Sequence, residues 1–577
     1  MSTNNPRPMY FSQVRIDGTN PDRVYLGGVG VHMTNDGGAT MGTDVAQAIH
    51  DDIHAIWVNP SNGNHIMIGG DGGVAVSLDM ARTWTQHENL PLALYYHVSV
   101  DNDVPYNVCG GLQDNYNWCG PSAVRFSRGI RNSDWYQVQG GDGFVVLQDP
   151  RDSRYVFSES QDGNIQRRNR ITGEARNIRP NFANITPAPA EGQQPFRWNW
   201  DTPMVFSQHE QGALLVAANK VFRSNDRGDS WMVASPDLTT NADRTEIEIM
   251  GARGNMVRLS PNDGISQWPT IVSLAESPKT PGVYFTGTDD GVVSMTKDGG
   301  KTWDRITDRL QGFPKWGYVS EVVPSRFDAN TVYITVDAHR ENDFKTYIWV
   351  SNDLGATFRS LNGNLSDQVV RTLLEDTKNP DVLYLGTETG IFVTTDRGKA
   401  WKRLKGRNFP SVRVDEMVIH PRDNSLVIAT HGRSIWILDH LEPIQEYAAA
   451  QASANDAKLF GIGNASQYRM WDNQNDEFWG HRVFLGENPP TDAVISFLVK
   501  KPVTDLRFKI TDPAGREVRD LAVPAAKNVA GIQTVCWDMR AALPSTGANT
   551  GAGAAGAAAA AAAGAPGGGG GRAGGGG

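Results

Sequence analysis

Aspartate and tryptophan side chains recur in the turns of this 577-residue chain, and together they suit chemistry on carbohydrate. Hydrolysis of a glycosidic bond needs two carboxyl groups, one as acid and one as base or nucleophile. The candidate catalytic carboxylates lie in short polar turns and are Asp114, Asp142, Asp289 and Asp290. The candidate ligand-binding residues, which add aromatic stacking surfaces and polar groups, are Asp71, Trp198, Trp200, Trp316, Glu388, His431 and Arg433.

The turns themselves offer a second explanation for these aspartates. Asp-Gly pairs favour tight hairpins, because aspartate accepts backbone hydrogen bonds and glycine permits a positive φ angle. A structural role in the turn is therefore the alternative for each aspartate considered singly. The catalytic interpretation requires several of them to meet at one place, so the elements that carry the turns must be identified.

A repeated motif of the form S/T-x-D-x-G-x-T/S-W/F identifies those elements. Its first two aspartates, Asp36 and Asp79, are 43 residues apart, which is the length of one four-stranded β-propeller blade. Short Val/Ile/Tyr runs between polar turns separate the copies and predict antiparallel strands. The six copies lie at 34–41, 77–84, 224–231, 296–303, 351–358 and 394–401.

Counting blades by their first strand predicts the fold and the domain organisation. First strands are expected to start near Tyr10, His54, Tyr95, Gly143, Thr202, Thr270, Tyr318, Arg371 and Val414. The repeated motif is an Asp-box. We therefore predict an all-β Asp-box β-propeller, seven-bladed and preceded by two further blades, with a C-terminal immunoglobulin-like β-sandwich. The expected domains are 1–91 (two blades, the remnant of an N-terminal propeller), 92–440 (the seven-bladed propeller), 441–458 (a linker), 459–545 (the small sandwich) and 546–577 (a disordered Gly/Ala-rich tail).

The place of the motif within a blade predicts which face carries function. The motif occupies the turn from the third strand to the fourth, whereas the candidate residues lie in the second-to-third connections and in the turns that enter the innermost strand. The motif turns emerge on one face of a propeller, and the connections that carry the candidate residues emerge on the opposite face. Functional residues are expected on loops that the scaffold leaves free to vary. We therefore expect a purely structural role for the motif aspartates, which include Asp79, Asp226, Asp298, Asp353 and Asp396.

No cofactor motif or metal-binding spacing is evident in the sequence. His50, Asp52 and His54 alternate along one strand and could hold a divalent ion, but no fourth ligand is identifiable, so hydrogen-bonded structural roles and no metal are expected. Cys109 and Cys119 could bridge a loop. On their spacing alone, two free thiols are the expected state.

Charge and hydropathy exclude two classes of partner. The 54 Lys and Arg residues against 64 Asp and Glu leave a net charge of -10 with no basic tract, which argues against nucleic acid as the partner. No apolar stretch approaches the roughly 20 residues that span a bilayer. The first residues lack the pattern of a secretory signal. A neutral or cationic ligand is therefore expected to fit better.

Several motifs besides the repeats extend this interpretation to a family. They are HDDIHAIW (50–57), GGLQDN (110–115), GGDGF (140–144), GTDDG (287–291), SRFDANTVY (325–333) and THGRSIWILD (430–439). With these motifs the chain resembles the bacterial Asp-box (BNR) repeat proteins of glycosyl hydrolase or sortilin type over residues 9–540. The resemblance implies a glycoside-hydrolase-like propeller that binds or hydrolyses carbohydrate, with O-glycosyl hydrolysis as the activity if it is an enzyme. The alternative that it implies is a non-catalytic, sortilin-like propeller that binds peptide or protein.

Two departures from related proteins bear on function. Arg371, Arg413 and Arg433 suggest a sialidase-like clamp, but the Arg-Ile-Pro signature of sialidases is absent. Members of the resembled family look like double seven-bladed propellers, whereas only two blades precede the ring here. We therefore expect the chain to be the C-terminal part of a longer natural protein, or to begin at an internal methionine. The resemblance implies a secreted or periplasmic full-length form.

Overall fold

Short antiparallel sheets make up almost all of the protein, as the all-β prediction required. The predicted disordered tail, 546–577, lies outside the residues described. The computed structural model describes residues 4–7, 10–249, 252–254, 256, 267–406, 408–470 and 483–542.

The first two blades pack on each other and share one apolar core. Tyr25 and Val31 of blade 1 are buried against Ile56, Ile66 and Ile68 of blade 2. Alternation of buried and exposed residues along the strands places these side chains on the shared face. Blade 1 comprises β1 (Gln13–Asp17), β2 (Asn20–Gly27) and β3 (Val31–Thr34), and blade 2 comprises β4 (Ile53–Val58), β5 (Ile66–Gly70), β6 (Gly73–Ser77) and β7 (Thr85–Gln86).

Three further blades follow between residues 95 and 233. Blade 3 comprises β8 (Tyr95–Val100), β9 (Asn107–Leu112), β10 (Asn117–Pro121) and β12 (Tyr136–Gln139), with β11 (Ile130–Arg131) outside the sheet. Blade 4 comprises β13 (Gly143–Gln148), β14 (Tyr155–Ser160), β15 (Asn164–Asn169) and β16 (Ala175–Asn177). Blade 5 comprises β17 (Ile185–Thr186), β18 (Met204–Phe206), β19 (Leu214–Ala217), β20 (Val221–Ser224) and β21 (Trp231–Val233).

Four more blades extend to residue 438, after a hairpin of β22 (Glu248–Ile249) and β23 (Ala252–Arg253). Blade 6 comprises β24 (Ile271–Glu276), β25 (Tyr284–Thr288), β26 (Val293–Thr296) and β27 (Asp304–Arg305). Blade 7 comprises β28 (Tyr318–Pro324), β29 (Val332–Asp337), β30 (Ile348–Ser351) and β31 (Arg359–Ser360). Blade 8 comprises β32 (Val370–Glu375), β33 (Leu383–Thr387), β34 (Gly390–Thr394) and β35 (Lys402–Arg403), and blade 9 comprises β36 (Val414–Ile419), β37 (Leu426–Thr430) and β38 (Ile435–Leu438).

Blades 3 to 9 close a ring of seven. The innermost strand of blade 9, β36, packs against β8 of blade 3, and β24, β28, β32 and β36 pack in succession. The second strands of the blades, such as β25, β33 and β37, are buried along their whole length. These strands are covered on both faces by neighbouring blades, which explains why their sequences are almost continuously apolar.

A disulfide between Cys109 and Cys119 corrects the expectation of two free thiols. The two residues lie directly opposite each other on β9 and β10, with their Cα atoms 4.1 Å apart. Both side chains are fully buried between blades 3 and 4. Strand register brought the two sulfurs together, and residue spacing does not reveal register. Gly111 permits the same close approach of blades, since a Cβ there would lie 2.1 Å from the backbone nitrogen of Phe144.

The repeated turns share one hydrogen-bonding pattern, shown by the copy at 296–303. The Thr296 hydroxyl donates to Asp298 Oδ1 at 2.8 Å, and the Thr302 backbone and hydroxyl groups donate to the same carboxylate at 2.9 and 2.6 Å. The Thr302 and Thr296 hydrogen bonds lower the pKa of Asp298 to about 2. The carboxylate therefore holds its own turn together.

The C-terminal part adds two short helices, a small sheet and a hairpin. Phe497 of β41 contacts Phe508 of β42, so the hairpin packs on the sheet. Strand β40 pairs with β11 of the ring, and the immunoglobulin-like assignment stays a prediction. No helix among the described residues is long and apolar enough to cross a membrane. The elements are α1 (Glu442–Gln445), α2 (Tyr447–Ala452), β39 (Ala457–Leu459), β40 (Leu485–Gly486), β41 (Ala493–Val499), β42 (Arg507–Thr511), β43 (Glu517–Ala522) and β44 (Gly531–Trp537).

Candidate functional site

A cavity of about 1510 Å³ lies between the pair of blades 1 and 2 and one face of the seven-bladed ring. The blade pair contacts the ring at its rim. The His50 ring donates from Nε2 to the Asp114 carbonyl at 3.0 Å, and the Asn115 amide donates to the Asp71 carbonyl at 2.9 Å. The ring contributes second-to-third connections and the turns that enter its innermost strands, so the cavity is on the face opposite the repeated motif.

The structure brings many of the predicted site residues to this cavity and leaves others outside it. Those that line it are Asp71, Asp114, Asp142, Trp200, Asp289, Trp316 and His431. Those that do not line it are Asp290, Trp198, Glu388 and Arg433.

Asp290 and Trp198 are buried instead. Asp290 is 3% exposed and accepts hydrogen bonds from the Thr240 backbone at 2.7 Å and from the Thr288 hydroxyl at 2.5 Å. Trp198 is 1% exposed and stacks on Phe222 within the core of blades 4 and 5. Both contribute to packing next to the cavity rather than to its surface.

Glu388 and Arg433 lie on second-to-third connections of blades 8 and 9, outside the cavity lining. Glu388 is half-buried, and its carboxylate lies 3.7 Å from Arg413. The side chain of Arg433 is exposed to solvent. Arg413 itself lines the cavity.

Three carboxylates meet where the blade pair joins the ring. Asp142 accepts a hydrogen bond from the Asp114 backbone at 3.0 Å, and Asp71 pairs with His54 at 3.0 Å. Burial and then the neighbouring Asp114 raise the pKa of Asp142 to about 6. Burial, with the charge of Asp71, also raises the pKa of Asp114. Asp114 and Asp142 therefore hold protons more tightly than ordinary aspartates, as an acid catalyst must.

His50, Asp52 and His54 do not converge on a common point. Both ring nitrogens of His50 lie 3.0 Å from carbonyl oxygens, so both donate hydrogen bonds and neither keeps a lone pair for a metal. Asp52 pairs with Arg7 at 3.4 Å, and His54 pairs with Asp71. Each side chain has a separate partner.

Asp289 is held in the cavity wall by donors from two blades. Its carboxylate accepts hydrogen bonds from the Thr270 backbone at 2.8 Å, the Thr270 hydroxyl at 2.7 Å and the Asn199 amide at 3.2 Å. Burial is the main cause that raises the pKa of Asp289 to about 7, with the charge of Asp290 adding to it. The carboxyl group can therefore give or take a proton near neutral pH.

The floor of the cavity includes Asp201, which pairs with a histidine outside the cavity lining. The ring nitrogens of His97 lie 3.0 Å from Asp201 and 3.0 Å from Glu416. Burial lowers the pKa of His97, but the charges of Asp201 and Glu416 outweigh it and hold the value well above the ordinary one. His97 therefore stays cationic and ties the innermost strands of blades 3 and 9 to the turn that enters blade 5.

Arginines from blades 8 and 9 form an ion-pair network beside this floor. Arg371 donates to Asp337 at 2.6 Å and lies 3.5 Å from Asp415, while Arg413 pairs with Asp415 at 2.6 Å. Burial opposes ionisation of Asp337, but its contacts with His339 and Arg371 hold the pKa well below the ordinary value. The network stays ionised and fixes the position of Arg371 in the cavity wall.

Asp337, His339 and Glu388 come close enough for their ligand atoms to share a metal ion. Asp337 already accepts from His339 at 2.6 Å with one oxygen and from Arg371 at 2.6 Å with the other. The two neighbouring guanidinium groups, Arg371 and Arg413, would repel a cation. The donor set therefore fits an ion-pair network better than a metal centre.

Three half-buried tryptophans face the cavity: Trp200, Trp268 and Trp316. The rings of Trp268 and Trp316 meet edge to face with centroids 5.6 Å apart. Trp316 has a φ of 59°, a left-handed conformation that few non-glycine residues adopt and that is often retained at binding sites. The aromatic faces can stack on sugar rings.

Sequence reasoning missed several cavity residues, of which Asp201, Tyr318 and Arg340 are the main ones. Asp201 directly follows Trp200 in the turn that enters blade 5. Because Trp200 was already a candidate, Asp201 could have been identified from its place in the same turn. Tyr318 begins an innermost strand and looks like a core residue by pattern. Arg340 lies in a long second-to-third connection without an Asp-Gly pair to mark it.

Comparison with known proteins finds a family similarity over part of the chain. A family model described as Sortilin-Vps10 (sortilin, neurotensin receptor 3) matches residues 346–450, a minor part of the chain. No curated protein matches the sequence. The solved structures similar to the chain include the computationally designed Ika8 protein (13% identity, 67% of this chain and 96% of that chain, TM-score 0.36), the Niastella koreensis GH74 enzyme (12%, 73% and 75%, 0.23) and YCF48 bound to D1 peptide (10%, 67% and 92%, 0.35). At this level of similarity these structures carry no inference about a ligand.

Proposed function

We propose that the cavity binds carbohydrate and that Asp289 and Asp142 transfer protons in the hydrolysis of a glycosidic bond. One observation carries this proposal. Two carboxyl groups with pKa values of about 7 and about 6 line the same cavity as three half-buried tryptophans. General acid and base groups work best when their pKa lies near the working pH, and sugar rings stack on aromatic faces.

A screen of glycans and polysaccharides that records both binding and release of reducing sugar tests the proposal. The variants Asp289→Asn and Asp142→Asn are expected to bind the same glycans as the natural protein but to release sugar at least about a hundredfold more slowly. Asp298→Asn, on the opposite face, is the matched control and should keep full activity at temperatures where it is folded. Absence of binding to every glycan would overturn the proposal. Unchanged sugar release by both cavity variants would remove the catalytic part.

Capture of a peptide without catalysis is the second candidate function. The match of residues 346–450 to the Sortilin-Vps10 family model favours it. This stretch includes blade 8 and most of blade 9, which supply the cavity residues Arg371, Arg413 and His431. A peptide array run beside the glycan screen separates the two functions. Peptide binding that Arg413→Gln weakens, with no glycan binding, would establish the second candidate in place of the first.

A further inference from the structure

Arg340 differs from Arg7, Arg371 and Arg413, which line the same cavity, because it forms no ion pair with a carboxylate among the described residues. Its guanidinium group lies over the ring of Tyr318. Arginines that an ion pair already neutralises have little charge to offer a ligand. The paired cavity arginines are Arg7 with Asp52 at 3.4 Å, Arg371 with Asp337 at 2.6 Å and Arg413 with Asp415 at 2.6 Å.

The backbone and an aromatic ring hold Arg340 in place. It lies in the 3-10 turn His339–Glu341 directly after β29, and the turn ends at Asn342 with a φ of 56°. Its guanidinium carbon lies 5.1 Å from the centroid of the Tyr318 ring. Stacking of this kind orients the planar guanidinium group and leaves its N–H donors free at the edge. The side chain is otherwise exposed, so these donors are available to a ligand.

The groups around Arg340 suit one sugar residue. The charge of Arg340 lowers the pKa of Asp289, and both residues line the same cavity. Trp316 and Trp268 line the same cavity, and Trp316 is two residues before Tyr318, on which Arg340 stacks. A second cation, the Lys315 ammonium group, lies 5.5 Å from the centroid of the Trp316 ring. Two cations therefore lie over the neighbouring rings of Trp316 and Tyr318.

The opposite side of the cavity has the reverse character. Asp71, Asp114 and Asp142 meet where the blade pair joins the ring, and the protein as a whole carries a net charge of -10. A ligand with acidic groups along its whole length would be repelled there. A glycan with an isolated acidic residue would not, provided that residue lies against Arg340.

We propose that Arg340 binds the carboxylate of a hexuronate residue whose ring lies against Trp316, within a glycan that is otherwise neutral. The inference rests on the proposed carbohydrate function and names its substrate class. A guanidinium group can donate two parallel N–H bonds to a carboxylate, and a neutral sugar of the same shape offers only hydroxyl acceptors. This subsite is therefore expected to bind a uronate more tightly than the neutral sugar of the same shape.

Matched pairs of oligosaccharides test the inference. The probes are uronate-containing oligosaccharides prepared from glucuronoxylan, pectin, alginate and hyaluronan, each beside its carboxyl-reduced form, with affinities measured by titration calorimetry on the full chain. At least one uronate is expected to bind about tenfold or more tightly than its reduced form. Arg340→Gln should abolish that preference. Arg305→Gln, which replaces an exposed arginine of β27 outside the cavity lining, is the control and should retain it.

The outcomes separate this inference from the proposed function. If no uronate binds better than its reduced form, or if Arg340→Gln keeps the preference while its melting temperature is unchanged, Arg340 is not a carboxylate subsite. Neutral glycans would then still bind, and the proposed function would stand. If no glycan of either kind binds, the proposed function fails and this inference fails with it.

Discussion

Replacement of Asp289 by asparagine is expected to change how the stability of the protein depends on pH. The carboxyl group has a pKa of about 7 in the folded protein against 3.8 for an ordinary aspartate, with burial as the main cause. The folded state therefore holds this proton more tightly than the unfolded state. The resulting stabilisation is fully present below pH 3.8 and is lost as the pH rises through about 7.

The size of the effect follows from this pKa difference. One pKa unit corresponds to about 1.4 kcal/mol, so the free energy of unfolding should fall by about 2 kcal/mol between about pH 5.5 and about pH 8.5. Water in the cavity screens the half-buried group and reduces this figure to about 1 to 2 kcal/mol. Asparagine does not titrate, so Asp289→Asn should lack this fall. The variant therefore gains stability relative to the natural protein, by the same amount, as the pH rises.

Urea unfolding followed by tryptophan fluorescence at the two pH values measures the difference between the two proteins. The absolute stability of Asp289→Asn also contains the loss of its contacts with Thr270 and Asn199, but that loss is nearly the same at both pH values. Asp298→Asn is the control, because the pKa of Asp298 is lowered to about 2 and its carboxylate is ionised throughout this range. A stability difference between the natural protein and Asp289→Asn that stays constant across the two pH values would refute the reasoning.

The remaining predictions concern the turns, the disulfide and the blade pair. Asp298→Ala should lower the melting temperature because it removes the hydrogen bonds that hold its turn, and it should leave ligand affinity unchanged in calorimetry. Replacement of Cys109 and Cys119 by serine should lower the free energy of unfolding, measured in urea, by about 3 kcal/mol, because the bridge closes a loop with a sequence separation of 10. A reducing agent should lower the stability of the natural protein to the same value. The shortened chain 91–545 should stay folded, as measured by circular dichroism and light scattering, because the contact of β36 with β8 closes the ring without blades 1 and 2. Its ligand affinity should fall, because the cavity loses Asp71. Loss of cooperative unfolding in the shortened chain would show instead that the blade pair is needed to hold the ring together.

The blades could be predicted from the sequence because local interactions specify them. The 43-residue interval from Asp36 to Asp79 and the alternation of apolar runs with polar turns predicted blades whose innermost strands begin at Tyr95, Gly143 and Val414, as observed. A strand pattern and a turn need only a few consecutive residues to be specified. The structural role of the repeated aspartates could be inferred for the same reason, since their hydrogen-bond partners lie within four residues.

The membership of the candidate site was decided by tertiary structure. Asp289 and Asp290 are adjacent in sequence, yet one faces the cavity and the other is buried against Thr240 and Thr288. No pattern distinguishes two neighbouring aspartates in a turn, because the distinction depends on which side of the turn the next blade covers. Trp198 and Trp200 were separated in the same way, one into the core and one into the cavity wall.

The position of blades 1 and 2 over the ring was likewise not encoded in any local pattern. That placement puts Asp71 beside Asp114 and Asp142, and this proximity helps to raise the pKa of Asp114. Ring closure and docking bring together residues that are far apart in the chain. The sequence by itself determined the strands, the turns and the face that carries the loops, since these depend on neighbours along the chain. Only the tertiary structure determined which carboxylates share a cavity, because a pKa or a binding site depends on charges and burial supplied by distant segments.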